Sequence, residues 1–463
     1  MKNITLLLCC LTLACSLHKV DETIEAPQFT PPAFSQSGSS ALSGTWWTAL
    51  EDPVLDGLID QALTGNLDLE AARSRLDQFR ALEMRRNQMP VIAVDAGLGR
   101  GRSNFGNQTV TESVYSMNAG VSWEVDLWKR LESIDRAEAL DSAAVRSDME
   151  AFALTLSASV ARTLYGIVAG REQLNLLEEQ AETNRKLLEV IEVRFENAQG
   201  SAVDVFQQRE QLASIRAAIP PVRSRVEVLE HQLAVLLGRS PTEALAAKGN
   251  VLPQLPDMPD AGLPVALLQN RPDIRAAAFR VNSADYRLGA AIAARYPTLR
   301  LSGSTGSSAS SVGDLFSNWI WNLFGGLAAP VFDQKSLESE ELRNRAVLKE
   351  VTTRYEQTVL LALQEVEDAL AREKHRRDYI ARLREQETLA QAALDSGQTR
   401  YLEGVGNFLT VLTELQALQR VQRTIVDARL LMIQDRIDLY QALGGDWTAH
   451  LAKATSTTGG KSQ

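Results

Sequence analysis

The sequence predicts a mainly α-helical chain with a β-barrel portion, built as an internal two-fold repeat. Three observations carry this expectation. Arg194, Gly200 and Val205 return at one constant offset as Arg400, Gly406 and Val411, and Leu237-Gly238 returns as Leu443-Gly444. A repeat this long means two copies of a whole structural unit rather than a short-repeat solenoid. Next, Tyr115, Met117, Ala119, Val121, Trp123 and Val125 recur at strict period two within 114–127, the pattern of a strand with two unlike faces. Finally, 129–197 holds no proline and as one helix would be roughly 100 Å long.

The elements follow in order. Residues 1–14 read as a signal peptide, with Lys2 as the positive region and an apolar run to Ala14. All three cysteines, Cys9, Cys10 and Cys15, lie near this end, so nothing downstream can form an internal disulfide or a thiolate metal site. The stretch ending Ala14-Cys15-Ser16 resembles a lipoprotein signal, with Cys15 as the acylated residue and Ser16 fitting outer-membrane sorting. An ordinary cleaved signal peptide is the alternative. One lipid would tether the chain without spanning a bilayer. Residues 15–45, rich in Pro, Ser and Gly, read as an extended lead segment.

The first repeat spans 46–248. A helix is expected over 55–89, ended by Pro90. A strand over 91–99, a polar loop over 103–111 and the strand 114–127 form a hairpin. The long helix 129–197 carries a heptad-like seam at Leu174, Leu177, Ala181, Asn184, Leu188, Ile191 and Phe195. It reverses at Gly200-Ser201 into a helix over 203–237. Four prolines mark the linker 249–264. The second repeat, 265–447, copies the order: helix 270–296, strands 298–303 and 319–331 around a Ser/Gly-rich loop, long helix 335–403, a turn at 404–407 and a helix to Leu443 capped by Gly444. A polar tail, expected to be disordered, covers 448–463.

Geometry then constrains assembly. Each chain supplies four strands, whereas about eight are the practical minimum for a closed barrel. Strands of about ten residues suit a tilted crossing of an outer membrane. On 114–127, Tyr115, Met117, Ala119, Val121 and Trp123 form the candidate lipid face, and Ser116, Asn118, Ser122 and Glu124 the candidate lumen face. Several chains donating four strands each resolve the open edges; three give twelve strands. Helices of such length must lie side by side as a bundle or tube, so the expectation is a pore rather than a pocket.

Other chemistries find no support. The four histidines, His18, His231, His375 and His450, show no i, i+4 pair, and no phosphate-loop, nucleophile-elbow or dinucleotide motif appears. The expected site is therefore non-enzymatic, without metal or cofactor apart from covalent lipid on Cys15. The net charge of −10, from 48 Lys and Arg against 58 Asp and Glu, disfavours a nucleic-acid partner.

A family resemblance now emerges. Trp46-Trp47, Asp52-Pro53-Val54-Leu55 and Asn66-Leu67-Asp68-Leu69 with Ala71-Ala72 resemble the opening signature of the outer-membrane factors, the TolC-like channels of tripartite efflux pumps. Trp123-Glu124-Val125-Asp126-Leu127-Trp128 and Pro330-Val331-Phe332-Asp333 resemble their strand-to-helix junctions, and Asn270-Arg271-Pro272-Asp273 the start of their second half. The resemblance covers 46–447. It implies a homotrimer with a twelve-stranded outer-membrane barrel continued by a long periplasmic α-helical barrel, in a Gram-negative bacterium. It also implies passive export of drugs and other toxic small molecules, hence multidrug resistance, delivered by an inner-membrane transporter through a periplasmic adaptor. The lipoprotein signal is similar to the branch that partners resistance-nodulation-division transporters. A type I protein-secretion channel and a non-conducting envelope scaffold remain the alternatives. By the same resemblance, Gly200, Ser201, Gly404, Gly406 and Asn407 are adaptor-docking tips, although glycines there also simply permit a tight reversal. The periplasmic aperture maps to Asp204, Thr410, Thr413 and Glu414. Gly406, Thr410 and Thr413 stand where the family carries acids. Asp204 has two open roles: a cation-attracting ring or a helix N-terminal acid favoured by the dipole.

Overall fold

The computed structural model describes residues 17–20, 26–38, 44–84, 87–106, 108–242, 252–445 and 447–450. The signal peptide, Cys9, Cys10, Cys15 and residues 451–463 lie outside the described residues. The elements are helices α1 (Pro53–Gly65) and α2 (Leu67–Glu83), strands β1 (Val91–Phe105) and β2 (Gln108–Val125), long helix α3 (Arg130–Glu196), α4 (Ala202–Leu236), the one-turn α5 (Leu267–Asn270), α6 (Pro272–Ala293), strands β3 (Thr298–Ala309) and β4 (Ile320–Ala328), long helix α7 (Gln334–Leu402) and α8 (Phe408–Leu443). The order helix, hairpin, long helix, shorter helix thus runs twice. The long helices, of 67 and 69 residues, are each roughly 100 Å.

Several boundaries differ from expectation. The helix expected over 55–89 is two helices, because Asn66 adopts an extended conformation. Its side chain accepts from Leu69 N at 2.9 Å, capping α2, and donates to Leu236 O at 3.0 Å. Helix α2 also stops at Glu83, short of Pro90. The polar loop expected over 103–111 is mostly strand: Ser103, Asn104 and Phe105 pair with Val110, Thr109 and Gln108, and the reversal is a tight turn with Gly106 at φ 60°. Backbone pairing continues regardless of side-chain polarity, so composition alone overstated the loop. Likewise Ser304 to Ala309 extend β3 rather than form loop. Helix α4 runs through Pro220 and Pro221; both are exposed, so the carbonyls they leave without a helical donor face solvent. At the C-terminus, Trp447–His450 forms a further 3-10 turn and Thr448 is buried, so order reaches past 447.

The heptad seam of α3 is displaced. Leu177, Asn184 and Ile191 are buried, but Gln180 takes the place expected for Ala181, and Phe195 is 46% exposed. A helix of 3.6 residues per turn drifts against a seven-residue repeat, carrying the apolar stripe around the surface.

The chain packs as two compact units that cut across the sequence repeats. One contains Arg75–Arg146 and Ala276–Gln357; the other contains Ala26–Ser74, Ser147–Arg275 and the chain from Thr358. The first holds the sheet, antiparallel in the order β1-β2-β3-β4. In it the junctions of the two repeats interlock: Trp128 Nε1 donates to Pro297 O at 2.8 Å, and its ring lies 5.2 Å from that of Tyr296.

The second unit is helical. Trp46 is 1% exposed, stacks on Tyr440 at 5.7 Å and donates to Ser157 Oγ at 3.1 Å, while Trp47 meets Trp447 edge-on at 4.7 Å. Buried aromatics of this size dominate local packing energetics, and the Trp46 N–H is satisfied by Ser157. The opening signature therefore docks the chain start on its last helix. The linker is held by a wholly buried Arg436, which pairs with Glu373 at 2.6 Å and donates to Pro256 O at 2.9 Å and Asp257 O at 3.2 Å. The lead segment lies against that linker: Gly38 N donates to Pro259 O at 3.0 Å and Ser37 Oγ to Asp260 at 2.6 Å.

Candidate functional site

The functional surfaces are the two faces of the sheet and the two helical turns. Antiparallel register brings opposite residues onto one face. Val121 lies beside Ile92 and Gly303, and Gly303 beside Leu323; Ala119 lies beside Val94 and Thr305, and Thr305 beside Trp321; Tyr115 lies beside Leu98. From Val125 to Tyr115 this face is largely apolar, and much of it is bare: Leu98 is 84% and Leu323 80% exposed. Ten steps along β2 are about 33 Å, or about 25 Å of height at a 40° tilt, the apolar band of an outer-membrane barrel. The reverse face is mostly small and polar, with Val91, Val114, Ile320 and Phe324 as its larger apolar members. Asp95 pairs with Asn118 by a 2.9 Å hydrogen bond, and Ser122 with Ser302; Glu124 lies beside Arg300 and binds Arg130 at 2.7 Å. The alternation expected for 114–127 is present: Tyr115, Met117, Ala119, Val121 and Trp123 share one face, and Ser116, Asn118, Ser122 and Glu124 the other. Strands β1 and β4 are the sheet edges.

The turns lie at the far ends of α3 and α7. In the first, Ala198 occupies the left-handed region at φ 56°, and Gln199 N donates to Arg194 O at 2.8 Å. In the second, Gly404 takes the same place at φ 78°, with Val405 N donating to Arg400 O at 3.0 Å. Of the turn glycines that the sequence singles out, Gly404 has positive φ, whereas Gly200 and Gly406 do not. They are close-approach sites: a Cβ on Gly406 would stand 3.1 Å from Tyr401 N, and one on Gly200 3.4 Å from Phe195 N.

Each turn starts the next helix with a side-chain cap. Ser201 Oγ accepts from Val203 N at 3.1 Å, and the Asp204 carboxylate accepts from Ser201 N at 3.3 Å, a capping box. Asn407 Oδ1 accepts from Thr410 N at 2.9 Å and Thr410 Oγ1 at 2.8 Å. Thr413 Oγ1 donates to Leu409 O at 2.8 Å. Of the residues expected at the aperture, Asp204 and Thr410 thus serve caps, and Glu414 lines a shallow groove with Arg382, Glu385 and Leu389.

The turns are brought together by residues that sequence reading passed over. The Arg194 guanidinium lies 4.7 Å above the Tyr401 ring, which packs on Phe408 at 5.7 Å. The buried Tyr401 hydroxyl has no hydrogen-bond partner among the described residues. Burial pushes its pKa up, while the Arg194 charge pulls it down. Above them runs a buried amide network. Gln208 Nε2 donates to Asn184 Oδ1 at 3.0 Å, Asn184 Nδ2 to Gln180 O at 2.8 Å, Gln180 Nε2 to Gln419 O at 3.2 Å and Gln416 Nε2 to Gln211 Oε1 at 2.7 Å. The signal for it was Asn184, a lone amide in an apolar seam. At the rim, Val203, Phe206 and Val405 are 60–66% exposed, an apolar fringe that periodicity did not single out.

The profile of the outer membrane efflux protein family matches residues 58–239 and 263–445. The chain is 32% identical over 471 residues to the pyoverdine export outer membrane protein OpmQ of Pseudomonas aeruginosa, covering 96% of this chain and 97% of that one. It is 30% identical over 462 residues to the toluene efflux pump outer membrane protein TtgC of Pseudomonas putida, covering 95% and 94%. Its fold matches the outer-membrane channel OprN with a TM-score of 0.88 at 24% identity over 94% of this chain and all of that one. The open-state MtrE channel of Neisseria gonorrhoeae gives 0.81 at 25% identity, over 92% and 98%. The chain belongs to the outer membrane efflux protein family, a family of outer-membrane channels. It is the outer-membrane channel component of an efflux system in a Gram-negative envelope, with its long helices on the periplasmic side.

Proposed function

We propose that three copies of this chain close one twelve-stranded barrel and form a passive conduit, not an enzyme, for small toxic molecules. The observation that carries this reading is the sheet itself. One face is largely apolar to about the height of a bilayer core, the other is mostly small and polar, and β1 and β4 are open edges. An unpartnered edge beside an exposed apolar face is an assembly or aggregation site, and pairing β1 of one chain with β4 of the next removes it. Relatives named for export of pyoverdine and toluene support a small-molecule cargo. The cargo is delivered by a resistance-nodulation-division transporter through a periplasmic adaptor that docks on the turns at Gly200, Ser201, Gly404, Gly406 and Asn407. The exposed Val203, Phe206 and Val405 support that docking. A lipid on Cys15 anchors the N-terminus, and mature protein lacking acyl mass on that residue would remove the anchor from the scheme.

Mass measurement in detergent tests the assembly: three chains are expected, and a stable folded monomer refutes the shared barrel. Planar-bilayer conductance separates a channel from a scaffold. Drug sensitivity against exoprotein loss in a deletion strain separates efflux from type I secretion. For the aperture, Thr410→Cys and Thr413→Cys are expected to cross-link between chains and block export until reduced. Asp204→Ala is expected to lower cation selectivity modestly, since three carboxylates around a narrow passage concentrate cations. Unchanged selectivity assigns Asp204 to the capping box alone.

A further inference from the structure

We infer that Arg100 and Arg102 form a binding site for the phosphate of an outer-leaflet glycolipid, a conclusion that rests on the shared-barrel reading above. Register places both arginines on the apolar face. Arg100 lies beside Ser113 and Arg102 beside Thr111, the two steps that follow the Leu98–Tyr115 pair along the hairpin. The helices join the sheet at its opposite end, since β2 leads from Val125 into α3. The arginines therefore sit where the apolar band stops on the side away from the periplasm, at the level of outer-leaflet headgroups.

Charge on that face is unbalanced. Both arginines are exposed, and neither has a hydrogen-bond or ion-pair partner among the described residues. The neighbouring acids point the other way: Glu112 pairs with Gly101 and Asp95 with Asn118, both on the polar face. Two arginines whose Cα atoms stand about 7 Å apart on one strand face bring like charges together, which an anion between their guanidinium groups would relieve. A guanidinium fork matches phosphate oxygens with paired, charge-assisted hydrogen bonds. Ser113 and Thr111 add hydroxyl donors on the same face. Acyl chains beside Leu98 and Val94 on the same strand face would complete the site, which makes a phosphate carried on a lipid the fitting ligand rather than free phosphate.

The test is native mass spectrometry of the detergent-solubilised trimer titrated with bisphosphorylated lipid A, with the dephosphorylated lipid and inorganic phosphate as controls. The parent is expected to retain the phosphorylated lipid, and Arg100→Gln/Arg102→Gln to bind it roughly 30-fold more weakly, with trimer mass and conductance unchanged. Arg100→Lys/Arg102→Lys is expected to fall between them, keeping charge but losing the fork. Equal binding of the dephosphorylated lipid, or equal competition by inorganic phosphate, overturns the assignment. So does dissociation of the Gln variant into monomers in lipid-free detergent, which would place the arginines in a chain-to-chain contact. A parent that shows no trimer before lipid is added refutes the shared barrel instead.

Discussion

In the sheet, Leu98, Trp321 and Leu323 stand 75–84% exposed, while in the helical unit the Arg436–Glu373 ion pair is wholly buried. Water-soluble chains do the reverse at both places. On the proposed shared barrel, the sheet displays apolar surface because its solvent on that side is lipid and its edges pair with neighbouring chains, so its stability is not contained within one chain. The helical unit pairs its buried charge internally: Arg436 meets Glu373 and two linker carbonyls, and amides near the turns bind one another, although Gln208 Oε1 and the Tyr401 hydroxyl find no partner among the described residues. Substitutions in the sheet should therefore act on assembly, and those among the helices on the stability of the chain.

The largest effect is expected from a charge in the middle of the apolar band. Ala119→Arg should cost about 2–4 kcal/mol per chain and abolish trimer recovery from membranes. Ser304→Lys, one step away on the polar face, should leave the trimer intact and change only conductance. Equal trimer loss in both would erase the distinction between the faces. Next is the buried pair. Glu373→Gln or Arg436→Met alone should destabilise by about 3–5 kcal/mol, because each strands a buried charge, whereas Arg436→Met with Glu373→Leu should recover most of the loss. A thermal unfolding series reads this directly, and a double variant no better than the singles would mean the linker carbonyls, not the pair, dominate.

Smaller effects are expected at the turns. Asn184→Ala removes partners of Gln208 and Gln180, and should cost about 1–3 kcal/mol with the trimer retained. Finally, Ala198→Gly should raise stability by about 1 kcal/mol and Gly404→Ala lower it similarly, since both positions hold positive φ. Opposite signs at the two turns would show one backbone reversal built from two chemistries; like signs would show that the turns differ in the assembled channel.

Much of this was legible in advance. Period two marked the faces of β2, the absence of proline marked α3, and the opening and junction motifs marked the family. The loops were misjudged because Ser, Gly and Thr do not distinguish a turn from a strand whose backbone is already paired. The break at Asn66 was missed because its cap acceptor and its Leu236 partner meet only in three dimensions.

By itself the sequence determined element type and length, the unlike faces of the strands and the incompleteness of four strands, because these depend on periodicity and chain geometry over neighbouring residues. Only the tertiary structure decided which residues bear the strain and the buried charge. The left-handed position fell on Ala198 and not Gly200, Asp204 was drawn into a capping box, Arg194 was set over Tyr401, and Arg436 was sealed against Glu373. Each of these is fixed by where the backbone turns or by a partner far away in the chain, and neither is carried by local pattern.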